Sequence, residues 1–219
     1  MVQNAEEPRR SRGRPQVRPD CDTLRVVIDA ARQEFLTNGY EPASMAAVAQ
    51  RAGVSTRTLY RLVPTKAELF RDVITERIGQ FLLAIDAEAL DAFPLEAALE
   101  RMLTAYGMLT LDAGTVILQR LVLAELHRFP KLADDFYKVA VLGTSAAMAA
   151  WLKRQCTRGL IALDDPLQAV GMLRGMMIME PQRSAMLGQT TSPDEAMIAA
   201  RAKFCARLFL EGCRNREAG

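Results

Sequence analysis

VAQRAGVSTRTLYRL, residues 48–62, is the stretch that decides the fold. Val48, Ala52, Val54, Leu59 and Leu62 are the apolar positions needed to pack two helices across a short turn, and Ala49 is small where the helices cross. Gly53 supplies the backbone conformation that such a turn demands. The surface of the second helix is left with Ser55, Thr56, Arg57, Thr58, Tyr60 and Arg61. These side chains donate hydrogen bonds to bases and phosphates, and no carboxylate stands among them to repel a nucleic-acid backbone. The spacing predicts a helix-turn-helix over residues 44–63.

Local signals extend this unit in both directions. Leu24, Val27, Ile28, Ala31 and Phe35 recur at helical spacing behind a cap at Asp20 or Asp22, and Asn38-Gly39 ends that helix. Ser44, Ser55 and Thr65 are placed to cap three more, the last running from Lys66 to about residue 90. Beyond Phe93-Pro94 the pattern predicts helices over 95–109, 113–128, 130–158, 166–178 and 193–212. Asp165-Pro166 is a cap followed by proline at the first helical position, and Ser192-Pro193-Asp194-Glu195 reads as a capping box. Pro181 should interrupt or kink any helix through it. The expectation is an all-α protein of about nine helices, with an N-terminal helix-turn-helix domain and a C-terminal helical domain for ligand binding and dimerisation.

Several pieces together resemble the DNA-binding domain of TetR-family regulators. They are Gly39-Tyr40-Glu41-Pro42-Ala43-Ser44-Met45, Val48-Ala49, Ala52-Gly53-Val54-Ser55, Thr58-Leu59-Tyr60 and Lys66-x-Glu68-Leu69-Phe70, in an unbroken order from Leu24 to Ile78. The resemblance implies that Thr56, Arg57 and Thr58 face the major groove, and that Tyr60, Lys66, Ser44 and its helix N-terminus hold phosphates. Leu62-Val63 departs from the histidine-phenylalanine pair frequent in the family, so packing under the recognition helix must be filled otherwise. Leu121 to Ala133, with Gly159-Leu160-Ile161 and Asp165-Pro166, resembles the regulatory region of one branch of that family. In such regulators the last two helices pair with those of a second subunit. Ala169, Gly171 and Gly175, with the face Ile198, Ala202, Cys205 and Phe209, are the surfaces that would form this homodimer interface.

Composition bounds the rest. Half of the 219 residues are hydrophobic and the formal charge is +2, but the positive charge is concentrated early. Arg9, Arg10, Arg12, Arg14 and Arg18 fall in an acid-free stretch with Pro15 and Pro19, read as a flexible basic arm over residues 1–19. Arg12-Gly13-Arg14-Pro15 resembles an AT-hook core, which would place Arg12 and Arg14 in a narrow minor groove, and a disordered, solubilising tail is the alternative reading. The domain assignment is therefore 20–80 for the reader and 81–219 for regulation and dimerisation. Cys21, Cys156, Cys205 and Cys213 show no metal-binding spacing, and no apolar run is long enough to span a bilayer, so a reducing, cytoplasmic protein without membrane attachment is expected.

Residues 81–219 contain no phosphate loop, nucleophile elbow or metal-binding HExxH, so no enzyme, metal or cofactor is expected. His127, the single histidine, sits beside Arg128-Phe129-Pro130 at a helix end and reads as structural. Soft apolar side chains are abundant, and Met102, Tyr106, Met148, Trp151, Met172 and Met176 are candidates to line a pocket for a mostly apolar ligand. The expected function is a homodimeric repressor on double-stranded DNA, released by a small molecule. The competing expectation is a DNA-binding protein without such an effector, and a cavity of several hundred cubic ångströms in the larger domain separates the two.

Overall fold

Short-range capping chemistry shapes the first third of the molecule, and the computed structural model describes residues 19–213. Helix α1 (Asp20–Asn38) buries Val27, Ala31 and Phe35 and ends at Gly39. Its first turn differs from expectation. Pro19 occupies the cap position without a side-chain bond, Asp20 is the first helical residue, and its carboxylate is engaged by Arg61. Ser44 accepts from the Ala47 N–H to start α2 (Met45–Ala52), Ser55 from Thr58 to start α3 (Thr56–Leu62), and Thr65 from Glu68 to start α4 (Lys66–Ala84). Each cap satisfies a backbone donor that the first helical turn leaves unpaired.

Helix α4 stops earlier than the periodicity predicts. The Asp86 side chain accepts from the Ala89 N–H and opens a separate single turn, Ala87–Asp91. Then follow α5 (Leu95–Leu111), α6 (Ala113–Glu125), α7 (residues 130–157), α8 (Pro166–Met186) and α9 (Glu195–Cys213). The described residues thus form nine helices and one extra turn, as an all-α fold. Helix α9 starts at Glu195 with Asp194 as its cap, so Ser192 and Pro193 lie outside it.

Two irregularities have identifiable causes. Helix α8 runs through Pro181 instead of ending near residue 178. Proline cannot donate to the carbonyl four residues back, that of Met177, and the Arg201 Nε of α9 does so instead at 2.8 Å. Within α7, residues Tyr137–Leu142 form a π-helical segment. The hydroxyls of Thr144 and Ser145 donate to the carbonyls of Ala140 and Val141, at 2.6 and 2.7 Å, and so satisfy groups in the widened turn.

The apolar core is continuous from the reader into the larger domain. Helix α4 is the shared wall, packing on α1 at one end and on α5 and α7 further along. Helix α9 lies along α5 so closely that a Cβ at Gly107 would meet Ile198 and Met177 at 2.6 Å. No single helix among the described residues is long and apolar enough to cross a membrane.

Candidate nucleic-acid interface and effector cavity

The α2–α3 unit is built as its sequence requires. Val48, Ala49, Ala52 and Leu59 are buried, and Gly53 takes the left-handed conformation (φ 66°), so that the Val54 N–H turns back to the Ala49 carbonyl at 3.0 Å. Val63 is also buried, so the smaller residue still fills the space under α3. With Leu59 turned inward, Thr56, Arg57, Tyr60 and Arg61 are left exposed. The hydroxyls of Ser55 and Thr58 lie 2.8 Å apart, one helical turn from each other. Arg57 has no ion-pair partner among the described residues.

Three basic groups have defined partners. Arg61 forms a two-pronged pair with Asp20, both contacts 2.7 Å, which holds that carboxyl below the usual range. Arg51 lies 3.4 Å from Glu34, whose buried carboxylate also accepts from Asn38, so Arg51 neutralises an internal charge. Lys66 points its ammonium at the carbonyls of Tyr40, Glu41 and Ala43 at 2.8, 3.0 and 3.0 Å, and over the Tyr40 ring. An ammonium has three donors, and here all are used. Burial lowers its pKa, against the opposing pull of Glu41 and Glu125. Its work in this structure is to pin the α1–α2 loop to the start of α4, a role that the resemblance to phosphate-holding lysines did not disclose. Arg12 and Arg14 lie outside the described residues.

The larger domain holds a cavity of about 430 Å³ between α4, α5, α6, α7 and α8. Ile74, Ile78, Leu118, Val122, Phe136 and Ile178 make much of its wall, and the π segment contributes Tyr137, Ala140 and Val141. Of the residues expected there, only Tyr106 lines it. Met102, Met148 and Trp151 are packed into the core, Met176 is half-buried in the core packing of α8, and Met172 is 63% exposed on the outside. The candidates for a mostly apolar ligand also left out its charge, because Arg77 and Arg174 both line it. These two arginines are 97 positions apart, and neither carries a local sign of a shared site.

The expected dimer face needs a similar correction. Ile198, Ala202 and Cys205 are buried within the chain, Ile198 against Gly107 of α5, and Ala169 is buried too. The outward faces of α8 and α9 instead carry Leu167, Met172, Met179, Met197, Phe204 and Leu208, all exposed, with Gly171 and Gly175 beside open space.

Besides α4, contacts at both ends of α6 join the domains. Asp112, at the α5–α6 corner, lies 3.5 Å from Arg32 of α1 and 3.4 Å from Arg77 of α4. At the far end of α6, Arg128 pairs with Glu41 and the Phe129 ring meets Tyr40 edge-on at 5.1 Å. Exposed His127 sits in that corner.

Comparison with known proteins converges on one family. Residues 27–73 match the family described as "Bacterial regulatory proteins, tetR family", and residues 97–212 match "AefR-like transcriptional repressor, C-terminal domain". The chain is 27% identical to the HTH-type transcriptional regulator RutR of Escherichia coli over 202 residues, covering 88% of this chain and 91% of that one. A TetR-family transcriptional regulator from Mesorhizobium loti superposes with a TM-score of 0.78 at 27% identity, over 91% of this chain and all of the other. The flavonoid-responsive regulator FrrA superposes with a TM-score of 0.64 at 28% identity, over 90% and 99%.

Proposed function

The chain belongs to the TetR family of bacterial transcriptional regulators, and we propose that it is a homodimeric repressor released from a palindromic operator by a small molecule. One observation carries this reading: α4 belongs to both sites. Its first residue clamps the loop that leads into α2, and its middle residues Ile74, Arg77 and Ile78 line the cavity. A ligand pressing on that wall moves the helix on which the reader is mounted. A hundredfold loss of operator affinity requires about 2.7 kcal/mol of coupling, within the ordinary allosteric range.

In this reading α3 enters the major groove with Thr56, Arg57 and Thr58 toward the bases. Ser44, Ser55, Tyr60 and Arg61 face phosphates, and Arg12 and Arg14 reach the adjacent minor groove. Two copies joined through α8 and α9 present recognition helices about 34 Å apart, the spacing of successive major grooves. The cavity supports a small-molecule effector over the effector-free alternative, as does the similarity in fold to FrrA, a flavonoid-responsive regulator.

Selection of bound sequences from random DNA, repeated against a metabolite panel, tests the proposal. An enriched palindrome released by one compound is the expected result. Failure to enrich any palindrome overturns the operator reading, and a palindrome that nothing releases returns weight to a regulator without an effector.

The Tyr40–Phe129 contact gives a further expectation. Phe129→Ala removes an aromatic pair worth about 1 kcal/mol that spans the domains but touches neither ligand cavity nor α3. Operator affinity without effector should change little, while the drop on adding the releasing compound should shrink severalfold. Fluorescence anisotropy with labelled operator measures both, and an unaltered drop would remove this corner from the coupling.

A further inference from the structure

The cavity contains polar groups that an apolar ligand would leave unpaired. Arg174 has no carboxylate within ion-pair distance among the described residues. Its Nε donates to the Tyr106 hydroxyl at 2.6 Å, and its Nη1 donates to the Val141 carbonyl at 3.3 Å and to Ser145 Oγ. Among the described residues nothing accepts from its Nη2. Arg77 enters from α4 with a buried Nε that has no acceptor, and its Nη2 makes only long contacts to Asp112 and Thr115, at 3.4 and 3.5 Å. Gln119 Oε1, buried on the same wall, receives no hydrogen bond.

Tyr106 completes the set. Its oxygen accepts from Arg174, and its own proton has no acceptor among the described residues. Burial raises the phenol's pKa and outweighs the opposing effect of Arg174, keeping that proton in place at neutral pH. Among the described residues, Arg77 Nε and Gln119 Oε1 are buried without a partner, Arg174 Nη2 and the Tyr106 hydroxyl add further donors, and Asp112, the acid beside Arg77, is shared with Arg32. Buried polar groups are normally satisfied, so this imbalance describes what is missing.

Resting on the ligand-responsive reading above, we propose that the cavity takes an amphipathic carboxylate, its anionic head held by Arg174 and the Tyr106 hydroxyl and its apolar body lying against Leu118, Val122, Phe136 and Ile178. A carboxylate is acceptor-only and planar, and it matches a guanidinium edge. A hydroxyl or N–H on the ligand would meet Gln119. The same charge reaches the reader. An anion that draws Arg77 takes it from Asp112, the residue that also holds Arg32 of α1.

The full chain is titrated by calorimetry, with melting temperature as a second readout, against decanoate, decanol, decylamine and decyl phosphate. Naphthalene-2-carboxylate, 2-naphthol and 2-naphthylmethylamine repeat the comparison on a rigid skeleton. On whichever skeleton binds, the carboxylate should bind at least about tenfold tighter than the alcohol, and the amine more weakly still. Arg174→Gln should erase that preference, weakening the carboxylate far more than the alcohol. Tyr106→Phe, which removes one oxygen and keeps the ring, should reduce the preference severalfold and serves if Arg174→Gln does not fold. Equal binding of alcohol or amine, tighter binding of decyl phosphate, or a preference that survives both substitutions overturns the carboxylate assignment alone. Failure of every compound on both skeletons overturns the carboxylate assignment, while the ligand-responsive reading falls only if no compound of the metabolite panel releases the operator.

Discussion

Phe204→Glu should convert the protein to a monomer in solution and lower operator affinity by about 10²- to 10⁴-fold, the contribution that simultaneous binding of two half-sites makes. Phe204 is 52% exposed at the middle of α9, between Met197 and Leu208 on the same face, and α8, which packs on α9, exposes Leu167, Met172 and Met179. So much apolar surface on adjacent helices is unusual for a monomer, and α8 and α9 together have the shape of half a four-helix interface. A carboxylate at its centre would be desolvated on both sides of the symmetry axis, at a cost of several kcal/mol per ion that only Arg207, 5.6 Å from the Phe204 ring on the same helix, could offset in part. Phe204→Leu keeps the apolar contact and should remain dimeric. Sedimentation equilibrium reads the mass and anisotropy the affinity. A Phe204→Glu protein that stays dimeric would place the interface elsewhere.

The face that this substitution probes shows where sequence reading reached its limit. Helix α9 is apolar on two sides, Ile198-Ala202-Cys205 and Met197-Phe204-Leu208, and periodicity alone does not rank them. Packing ranks them. Ala202 and Ala206 are small enough for α9 to lie against α5 at Gly107, so the side with small residues turns inward and the bulky one is left outside. The reader was legible because its determinants are local: Ser44, Ser55 and Thr65 each cap a donor three residues on, and Gly53 provides the turn. The effector cavity was legible only at Tyr106, because its charge comes from Arg77 and Arg174 on two other helices, each of which reads in isolation as a solvated residue. Helix α8 passing through Pro181 is the same kind of case, since the compensating donor, Arg201, lies on another helix. Lys66 also acts at a distance in sequence, on carbonyls of residues 40–43.

The two faces of α3 give the second large prediction, because neighbouring substitutions there should fail for different reasons. Leu59 is fully buried between α1 and α2, and Leu59→Ala should cost about 3 kcal/mol, a cavity cost added to lost transfer energy. A domain with a total of about 5–15 kcal/mol loses a large fraction of its stability that way. The melting temperature should fall, and binding to every DNA sequence should weaken together. Arg57, two residues earlier, is exposed and unpaired, so Arg57→Ala should leave melting unchanged. If its guanidinium reads a base edge, operator affinity drops by about 1–3 kcal/mol and discrimination at one position of each half-site disappears. If it touches only phosphate, affinity falls on all sequences alike and the slope against salt becomes shallower by about one unit per half-site. Anisotropy titrations on the operator and on single-base variants, at several salt concentrations, separate these outcomes. An Arg57→Ala protein with operator affinity and salt slope both intact would remove Arg57 from the interface and leave Thr56 and Thr58 to make the base contacts, with one hydroxyl of that pair already paired with Ser55.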